Sequence, residues 1–161
     1  MEALYKSLTE LGLELHPEKT RLVNAEEGSF NFLGFNFRKV WNRQKTKRFA
    51  LCLPSQKAEA GIRAKIRELT RHERAVKMEQ VIREINPVIR GWVNYFRIGN
   101  SSASFNEIRH YIVRKVMRYV RRKQLKDGFG WKTLTSEVLY GRYGLFYDYR
   151  LGCAVPGGRP C

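Results

Sequence analysis

The stretch INPVIRGWVNYFR, residues 85–97, decides how the chain folds. Large apolar side chains recur in it every three or four residues, which is the spacing of a buried helix face. The apolar side comprises Val88, Ile89, Trp92, Val93 and Phe96. Arg90 and Arg97 lie together on the opposite side of the same helix. We therefore predict that Trp92 and Phe96 fill a core, while Arg90 and Arg97 point outward.

Signals for the start of this helix lie inside the stretch itself. Asn86 suits an N-cap and Pro87 suits the first helical position, so a separate helix is expected to run from about Lys77 to Ile85. Gly91 lies at the edge of the apolar side. A glycine inside a helix lowers stability by about 1 kcal/mol relative to alanine, so we predict that another part of the chain packs too closely here for a larger residue.

A second, more basic helix is expected to run to about Lys126, and a capping-box pattern at Ser104 and Glu107 would open it. Its basic part is residues 109–126 (RHYIVRKVMRYVRRKQLK). The stretch holds eight Lys/Arg and no Asp/Glu. Its polar side carries Arg114, Lys115, Arg118, Arg121 and Arg122. Like charges one turn apart destabilise a helix by about 0.2–0.5 kcal/mol per pair, so the pattern indicates a phosphate-bearing partner. Tyr111 and Tyr119 border this side and either stack on bases or pack at the core edge.

The chain before residue 54 has a different pattern. Leucine spacing predicts a helix over residues 2–11, and Gly12 would end it. Short strands are expected at residues 13–15, 21–23, 30–37 and 49–53, with a bulge or tight bend at residues 33–34. Residues 13–53 would then form a small antiparallel meander.

Pro54 and Ser55 mark the boundary, since nearly everything after them is helical in pattern. Ser55 would cap a helix with the stripe Ile62, Ile66 and Leu69. A short helix is expected at about residues 135–140. The predicted class is α+β: an N-terminal helix and meander (1–53), a helical bundle (54–151) and a flexible tail (152–161).

Composition points to a polyanionic partner. Across 161 residues, 31 Lys/Arg stand against 15 Asp/Glu, for a net charge of +16. Such an excess is typical of nucleic-acid binding, with an anionic membrane surface as the rival. Three scattered cysteines and a charged stretch directly after Met1, in place of a signal peptide, predict a cytoplasmic location.

Catalytic and metal-binding patterns are not seen in the sequence. The two aspartates, Asp127 and Asp148, are far apart, whereas two-metal phosphoryl transfer needs converging carboxylates. The cysteines form no CxxC pair, and the histidines lack the spacing of metal ligands. We predict no catalytic residue and no metal or cofactor bound by this chain.

Three motifs, in this order, carry a family resemblance: LGLELHPEKT (residues 11–20), FLGF (32–35) and NPVIRGWVNYFR (86–97). Together they resemble the C-terminal half of a group II intron reverse transcriptase/maturase, and the last resembles the signature of the maturase-specific region, domain X. The resemblance covers residues 1–150.

The resemblance implies a role for each part. Residues 1–53 would be the end of the palm, with Lys19 as a phosphate-facing cation. The FLGF motif (Phe32, Leu33, Gly34, Phe35) would be a primer-grip hairpin, and residues 54–126 a thumb that holds a template–primer duplex and binds intron RNA. Family maturases assist the folding and splicing of their own intron RNA, and the RNA itself performs the chemistry.

The family's catalytic aspartate box is absent and would lie before Met1, so the chain is expected not to polymerise DNA alone. The resemblance implies Mg²⁺ only for a complete polymerase or for the intron RNA. An upstream reverse-transcriptase part, or self-association through exposed palm faces, would be a further partner. Three functions stay open: a non-catalytic RNA-binding maturase module, a polymerase fragment completed by another polypeptide and acting on an RNA–DNA duplex, and a generic basic nucleic-acid-binding protein.

Overall fold

The computed structural model describes residues 2–14, 16, 23–24, 28–71, 76–124 and 135–152. Over these residues the chain forms one three-stranded antiparallel sheet and five helices. The elements are α1 (Glu2–Glu10), β1 (Ser29–Phe32), β2 (Phe35–Trp41), β3 (Arg48–Pro54), α2 (Gln56–Leu69), α3 (Met78–Phe96), α4 (Ser102–Gln124) and α5 (Ser136–Gly141). The protein is therefore of the α+β class, as the sequence predicts.

The first helix ends where the glycine predicts. Gly12 has φ of +69°, and its N–H donates to the carbonyl of Thr9 while the Leu13 N–H donates to the carbonyl of Leu8. This pair of hydrogen bonds is a Schellman motif. Because Leu13 completes the helix cap, no strand begins there, and the meander predicted from residue 13 is wrong in extent. The sheet spans residues 29–54. Of the two strands expected before it, Leu15 and residues 21–22 lie outside the described part.

The three strands follow each other in the order β1-β2-β3. The bend predicted at residues 33–34 is a two-residue hairpin turn, in which Leu33 and Gly34 both have positive φ (47° and 79°). Such turns match the twist of the flanking strands. The second hairpin pairs Trp41 with Arg48 across the loop of residues 42–47.

Helix α2 begins as predicted. The Ser55 hydroxyl accepts a hydrogen bond from the Ala58 N–H at 3.2 Å. Ile62 and Ile66 are buried, and Leu69 packs against the core. The cap and the apolar stripe together set where this helix starts and which side it buries.

Helix α3 runs without a break through Asn86 and Pro87, so the predicted helix start at these residues is wrong. Proline has no N–H to donate to the preceding turn, which usually costs about 3 kcal/mol. The helix continues because its buried stripe crosses the proline: Val81, Ile82, Ile85, Ile89, Val93 and Phe96 are all buried. Asn86 caps no helix here, since its amide donates to the Gly144 carbonyl (2.8 Å) and its Oδ1 accepts from the Phe146 N–H (2.9 Å).

Helix α4 starts at Ser102, so the capping box predicted at Ser104 is also wrong. The Ser101 carbonyl accepts from the Phe105 N–H at 2.8 Å, which places Ser104 inside the first turn. The buried Ser101 hydroxyl donates to the Phe96 carbonyl at the end of α3 (2.8 Å). The sharp connection between α3 and α4 thus fixes where α4 begins. Its predicted end near Lys126 lies outside the described residues.

The sheet is attached to the helices at one end of the core. Phe35 is buried, and its ring lies 4.8 Å from that of Phe96, edge to face. The Asn100 N–H donates to the Cys52 carbonyl (2.7 Å), and the Cys52 N–H donates back to Asn100 Oδ1 (3.2 Å). A Cβ on Gly99 would lie 2.5 Å from the Cys52 carbonyl oxygen, so only glycine allows this approach.

The C-terminal part packs back onto α3 and α4. The Thr135 hydroxyl accepts from the Val138 N–H, confirming a short helix at the predicted place. Leu139 and Leu145 are fully buried. The Gly152 N–H donates to the Arg97 carbonyl at 3.0 Å, so the described chain is still held to α3 at its last residue.

Candidate nucleic-acid interface

Helix α4 has one buried and one exposed side, and the four arginines predicted for its polar side are exposed. Its buried side consists of Phe105, Ile108, Ile112, Val116 and Val120, each no more than 5% exposed. Four arginines are exposed on the other side. We call Arg114, Arg118, Arg121 and Arg122 the α4 arginine face. Because consecutive core positions are three or four residues apart, the positions on the opposite side of the helix, which include these four arginines, face solvent.

The α4 arginine face has no compensating acid among the described residues. The single acid of α4, Glu107, lies near the other end of the helix and pairs with Arg63 at 3.2 Å. None of the ion pairs in the described part of the chain involves the four arginines. Like charges at this spacing repel each other, and a polyanionic ligand would offset that repulsion. The face is chemically suited to hold phosphate groups.

Lys115 occupies the border of this face. It is half-buried, and its Nζ lies 5.6 Å from the centroid of the Tyr111 ring. Tyr111 donates from its hydroxyl to the Arg63 carbonyl (3.2 Å), and the buried Tyr119 donates to the Val76 carbonyl (2.7 Å). Of the two roles left open for these tyrosines, the contacts therefore favour packing at the core edge.

The two arginines predicted to point outward from α3 differ. Arg90 is exposed and borders a small cavity of about 240 Å³ with Asn86, Tyr147 and Asp148. Arg97 is half-buried, and its Nη2 donates to Asp148 Oδ2 (3.1 Å) and to the Asp148 carbonyl (3.2 Å). The outward position predicted for Arg97 is wrong. No spacing pattern indicates this pair, because Asp148 lies 51 residues further along the chain.

The Arg97–Asp148 pair is stabilised in its ionised form. The hydrogen bond from Arg97 holds the pKa of the Asp148 carboxyl below its ordinary value, against an opposing effect of desolvation, and Arg150 adds to the lowering. Arg150 Nε lies 3.5 Å from the other carboxylate oxygen. The pair is therefore part of the packing of the C-terminal segment on α3.

The FLGF motif is divided between core and surface. Phe35 is buried, whereas Phe32 and Leu33 are 59% and 67% exposed. The turn is tied down on both sides, since the Tyr95 hydroxyl donates to the Leu33 carbonyl (2.8 Å) and the Ser55 N–H donates to the Gly34 carbonyl (2.8 Å). These bonds hold the exposed tip of the hairpin in a fixed place beside α3.

An open apolar groove of about 620 Å³ lies beside this turn, between α2 and α3. It is lined by Leu33, Gly34, Gly61, Ile62, Lys65, Val88, Gly91, Trp92, Tyr95 and Phe96. A Cβ on Gly61 or on Gly91 would meet nothing within 4 Å. The close neighbour predicted at Gly91 is therefore wrong. Phe96 is buried and Trp92 half-buried against the core, as the sequence predicts for the aromatic side.

Three further points of the sequence analysis concern metal binding, a membrane as the rival partner, and Lys19 as a phosphate-facing cation. Lys19 lies outside the described residues. Within the described part of the chain, no three His, Cys, Asp or Glu side chains lie close enough to share a metal ion. No helix in that part is long and apolar enough to cross a membrane.

The comparison with protein families adds an independent observation. Residues 60–135 match the family model "Group II intron, maturase-specific domain". A comparison with curated proteins finds no match. The matched range starts in α2 and includes all of α3 and α4, so it contains the helical side of the groove, Arg90 and the α4 arginine face. Residues 60–135 of this chain are thus similar in sequence to the group II intron maturase-specific domain, which supports a likeness to the C-terminal region of a group II intron maturase.

Proposed function

We propose that this chain is an RNA-binding maturase module that assists the folding and splicing of a group II intron RNA and has no catalytic activity of its own. The observation that carries the proposal is the α4 arginine face, which lies inside the maturase-specific region and has no acidic partner among the described residues. Arg90 adds a further exposed cation on α3.

Arginine suits this task better than lysine would. A guanidinium presents a planar fork of donors that matches two phosphate oxygens at once, and it stacks on unpaired bases. Structured RNA is recognised largely through its phosphates, its 2′-hydroxyls and its shape. A compact intron brings many phosphates together, and a row of exposed guanidinium groups would offset their repulsion.

The test is equilibrium binding to a folded group II intron RNA and to an unrelated structured RNA of equal length, over a range of salt. Each phosphate contact contributes about −0.7 to −0.9 to the slope of log K against log salt. Replacing Arg114, Arg118 and Arg121 together by alanine should flatten the slope by about two units. A charge-matched control replaces Lys57, Arg67 and Arg83, which are exposed on α2 and α3.

Two results would contradict this proposal. An unchanged slope in the α4 variant would remove the assignment of the arginine face. Equal affinity for the two RNAs at every salt concentration would indicate a generic basic nucleic-acid-binding protein.

A second candidate function rests on the FLGF turn. Its exposed Leu33 lines the apolar groove between α2 and α3, where the end of a primer strand could lie beside a thumb, and the exposed Phe32 directly precedes it. The chain would then supply the palm end (1–53) and the thumb (54–151) to a polymerase completed by another polypeptide. Adding a polypeptide with the catalytic aspartate box should give DNA synthesis on an RNA template, and Leu33→Ala should reduce it. No synthesis with both pieces present would count against this function.

A further inference from the structure

The end of the β2–β3 hairpin is a second, separate concentration of positive charge. Residues 38–48 (RKVWNRQKTKR) hold six Lys/Arg and no Asp/Glu. Arg38 lies on β2, and Arg43, Lys45 and Lys47 lie on the loop, all four exposed. The ion pairs of the described residues include none of these four. This surface is outside the matched family region, which begins at residue 60.

The loop is ordered despite this charge, because Asn42 closes it. The Asn42 N–H donates to the Lys47 carbonyl (2.8 Å). Its Oδ1 accepts from the Thr46 N–H (2.7 Å) and the Lys47 N–H (3.2 Å), and its amide donates to the Thr46 hydroxyl (2.7 Å). Lys45 adopts a left-handed backbone conformation, with φ of +56°. The cations are thus held close together on a fixed frame, where their mutual repulsion favours a polyanionic ligand.

An exposed aromatic ring stands next to the loop. Trp41 is 52% exposed, and it faces Arg48 across the hairpin. The Arg48 guanidinium lies 4.6 Å from the centroid of the Trp41 ring. Stacking of this kind orients the indole and leaves the rest of its surface open to solvent. An exposed indole among cations is the combination with which proteins bind single-stranded nucleic acid, because every unpaired base offers a face for stacking.

From this geometry we propose that the β2–β3 hairpin end, residues 38–48, binds an unpaired RNA segment, with one base stacked on Trp41 and adjacent phosphates held by Arg43, Lys45 and Lys47. A duplex keeps its bases inside the stack, so it cannot use the Trp41 ring in this way. This binding site is separate from the α4 arginine face, so the inference goes beyond the proposed function. It rests on that function in one respect, namely that the partner is RNA.

The first test measures binding of the full chain to an oligouridine of about a dozen nucleotides and to a blunt RNA duplex of the same length. Trp41→Leu should weaken oligouridine binding about tenfold and leave duplex binding within about twofold. Trp41→Phe, which retains a stacking face, should stay within about threefold of the parent for both ligands. Phe49→Leu is the control, since Phe49 is also exposed on the hairpin but points to the other side of the sheet.

The second test removes charge from the loop without disturbing its backbone. Lys45→Asn keeps a residue that tolerates positive φ, and it is combined with Lys47→Gln. The salt slope for oligouridine should flatten by about one unit or more. Lys6→Ala with Lys57→Ala removes the same charge from exposed helical positions and should change the slope less.

The outcomes separate this inference from the proposed function. If Trp41→Leu binds oligouridine as tightly as the parent chain, or weakens duplex and oligouridine equally, the stacking site is overturned and the Trp41–Arg48 contact serves only the hairpin. Circular dichroism of each variant shows whether the sheet is intact. The α4 triple variant tested on intron RNA reports on the proposed function alone, and its failure would leave the Trp41 result unaffected.

Discussion

Two arginine regions of this molecule carry the same residue type in different surroundings. On α4, four guanidinium groups are exposed and have no acid beside them in the described part of the chain. At the end of α3, Arg97 is half-buried and held by Asp148. Both regions lie opposite the buried side of their own helix. The difference teaches that the side of a helix away from its core is available to a ligand only if no later segment of the chain covers it.

The largest expected effect contrasts the two sides of α4. Ile112→Ala removes a side chain that is fully buried and should lower the free energy of unfolding by about 2–5 kcal/mol. Arg118→Ala, on the exposed side, should change it by less than about 0.5 kcal/mol. Urea denaturation of both variants measures the contrast. A comparable loss for Arg118→Ala would mean that this side of α4 is packed against another part of the chain.

The next effect concerns the junction at the end of α3. Gly99→Ala places a methyl group against the Cys52 carbonyl and should cost about 1–3 kcal/mol, since backbone rather than a flexible side chain must move. Gly91→Ala is the matched control in the middle of α3. A Cβ there meets nothing, so the higher helix propensity of alanine should stabilise the protein by about 0.5–1 kcal/mol. Opposite signs in urea denaturation would confirm that the junction, and not the helix, needs its glycine.

A smaller effect distinguishes Arg97, which stabilises the fold, from the arginines of the α4 arginine face, which would bind RNA. Arg97→Ala loses the two hydrogen bonds to Asp148, and should lower Tm by about 2–4 °C while changing the salt slope of RNA binding little. The α4 triple variant should leave Tm nearly unchanged and flatten the salt slope. Thermal unfolding and binding are measured on the same preparations. A slope that flattens in Arg97→Ala as much as in the triple variant would make Arg97 a ligand-facing residue after all.

The smallest effect is the pH dependence of the Arg97–Asp148 pair. Because the pKa of Asp148 in the folded state lies below its ordinary value of 3.8, the pair's contribution to stability is fully present above that pH. It is lost as the pH falls through the folded-state pKa. Asp148→Asn should therefore be less stable than the parent at neutral pH, and the difference should shrink in acid. Glu68→Gln, which removes an exposed carboxylate paired with Lys65, is the control. A difference that does not depend on pH would contradict the assignment.

Much of the helical region could be predicted, because the buried side of a helix is a repeating local pattern. The apolar residues of α3 and α4, the cap at Ser55 and the stop at Gly12 all follow from spacing and backbone chemistry within a few residues. The same local reasoning failed at Asn86 and Ser104. Both residue types cap helices often, but Asn86 bonds to a segment nearly 60 residues away, and the α3–α4 connection fixes the start of α4 before Ser104.

The candidate site was predictable to the same degree. The α4 arginine face follows from the sequence, because its members are separated by core positions of the same helix. The tyrosines were ambiguous, because their hydroxyl partners, the carbonyls of Arg63 and Val76, belong to residues more than 40 positions away. The groove beside the FLGF turn could not be predicted from the sequence, since it forms only where a hairpin turn and two helices meet.

The sequence by itself determined the charge of this protein, the type of nearly every element and the side of each long helix that is buried. These properties depend on composition and on periods of two and of about 3.6 residues, which no distant contact changes. Only the tertiary structure decided which exposed-looking groups stay exposed. Arg97 lost its outward position to Asp148, while Trp41 kept its surface open at the end of a hairpin. The physical reason is that burial and ion pairing are set by whatever part of the chain packs nearest, at any separation in sequence.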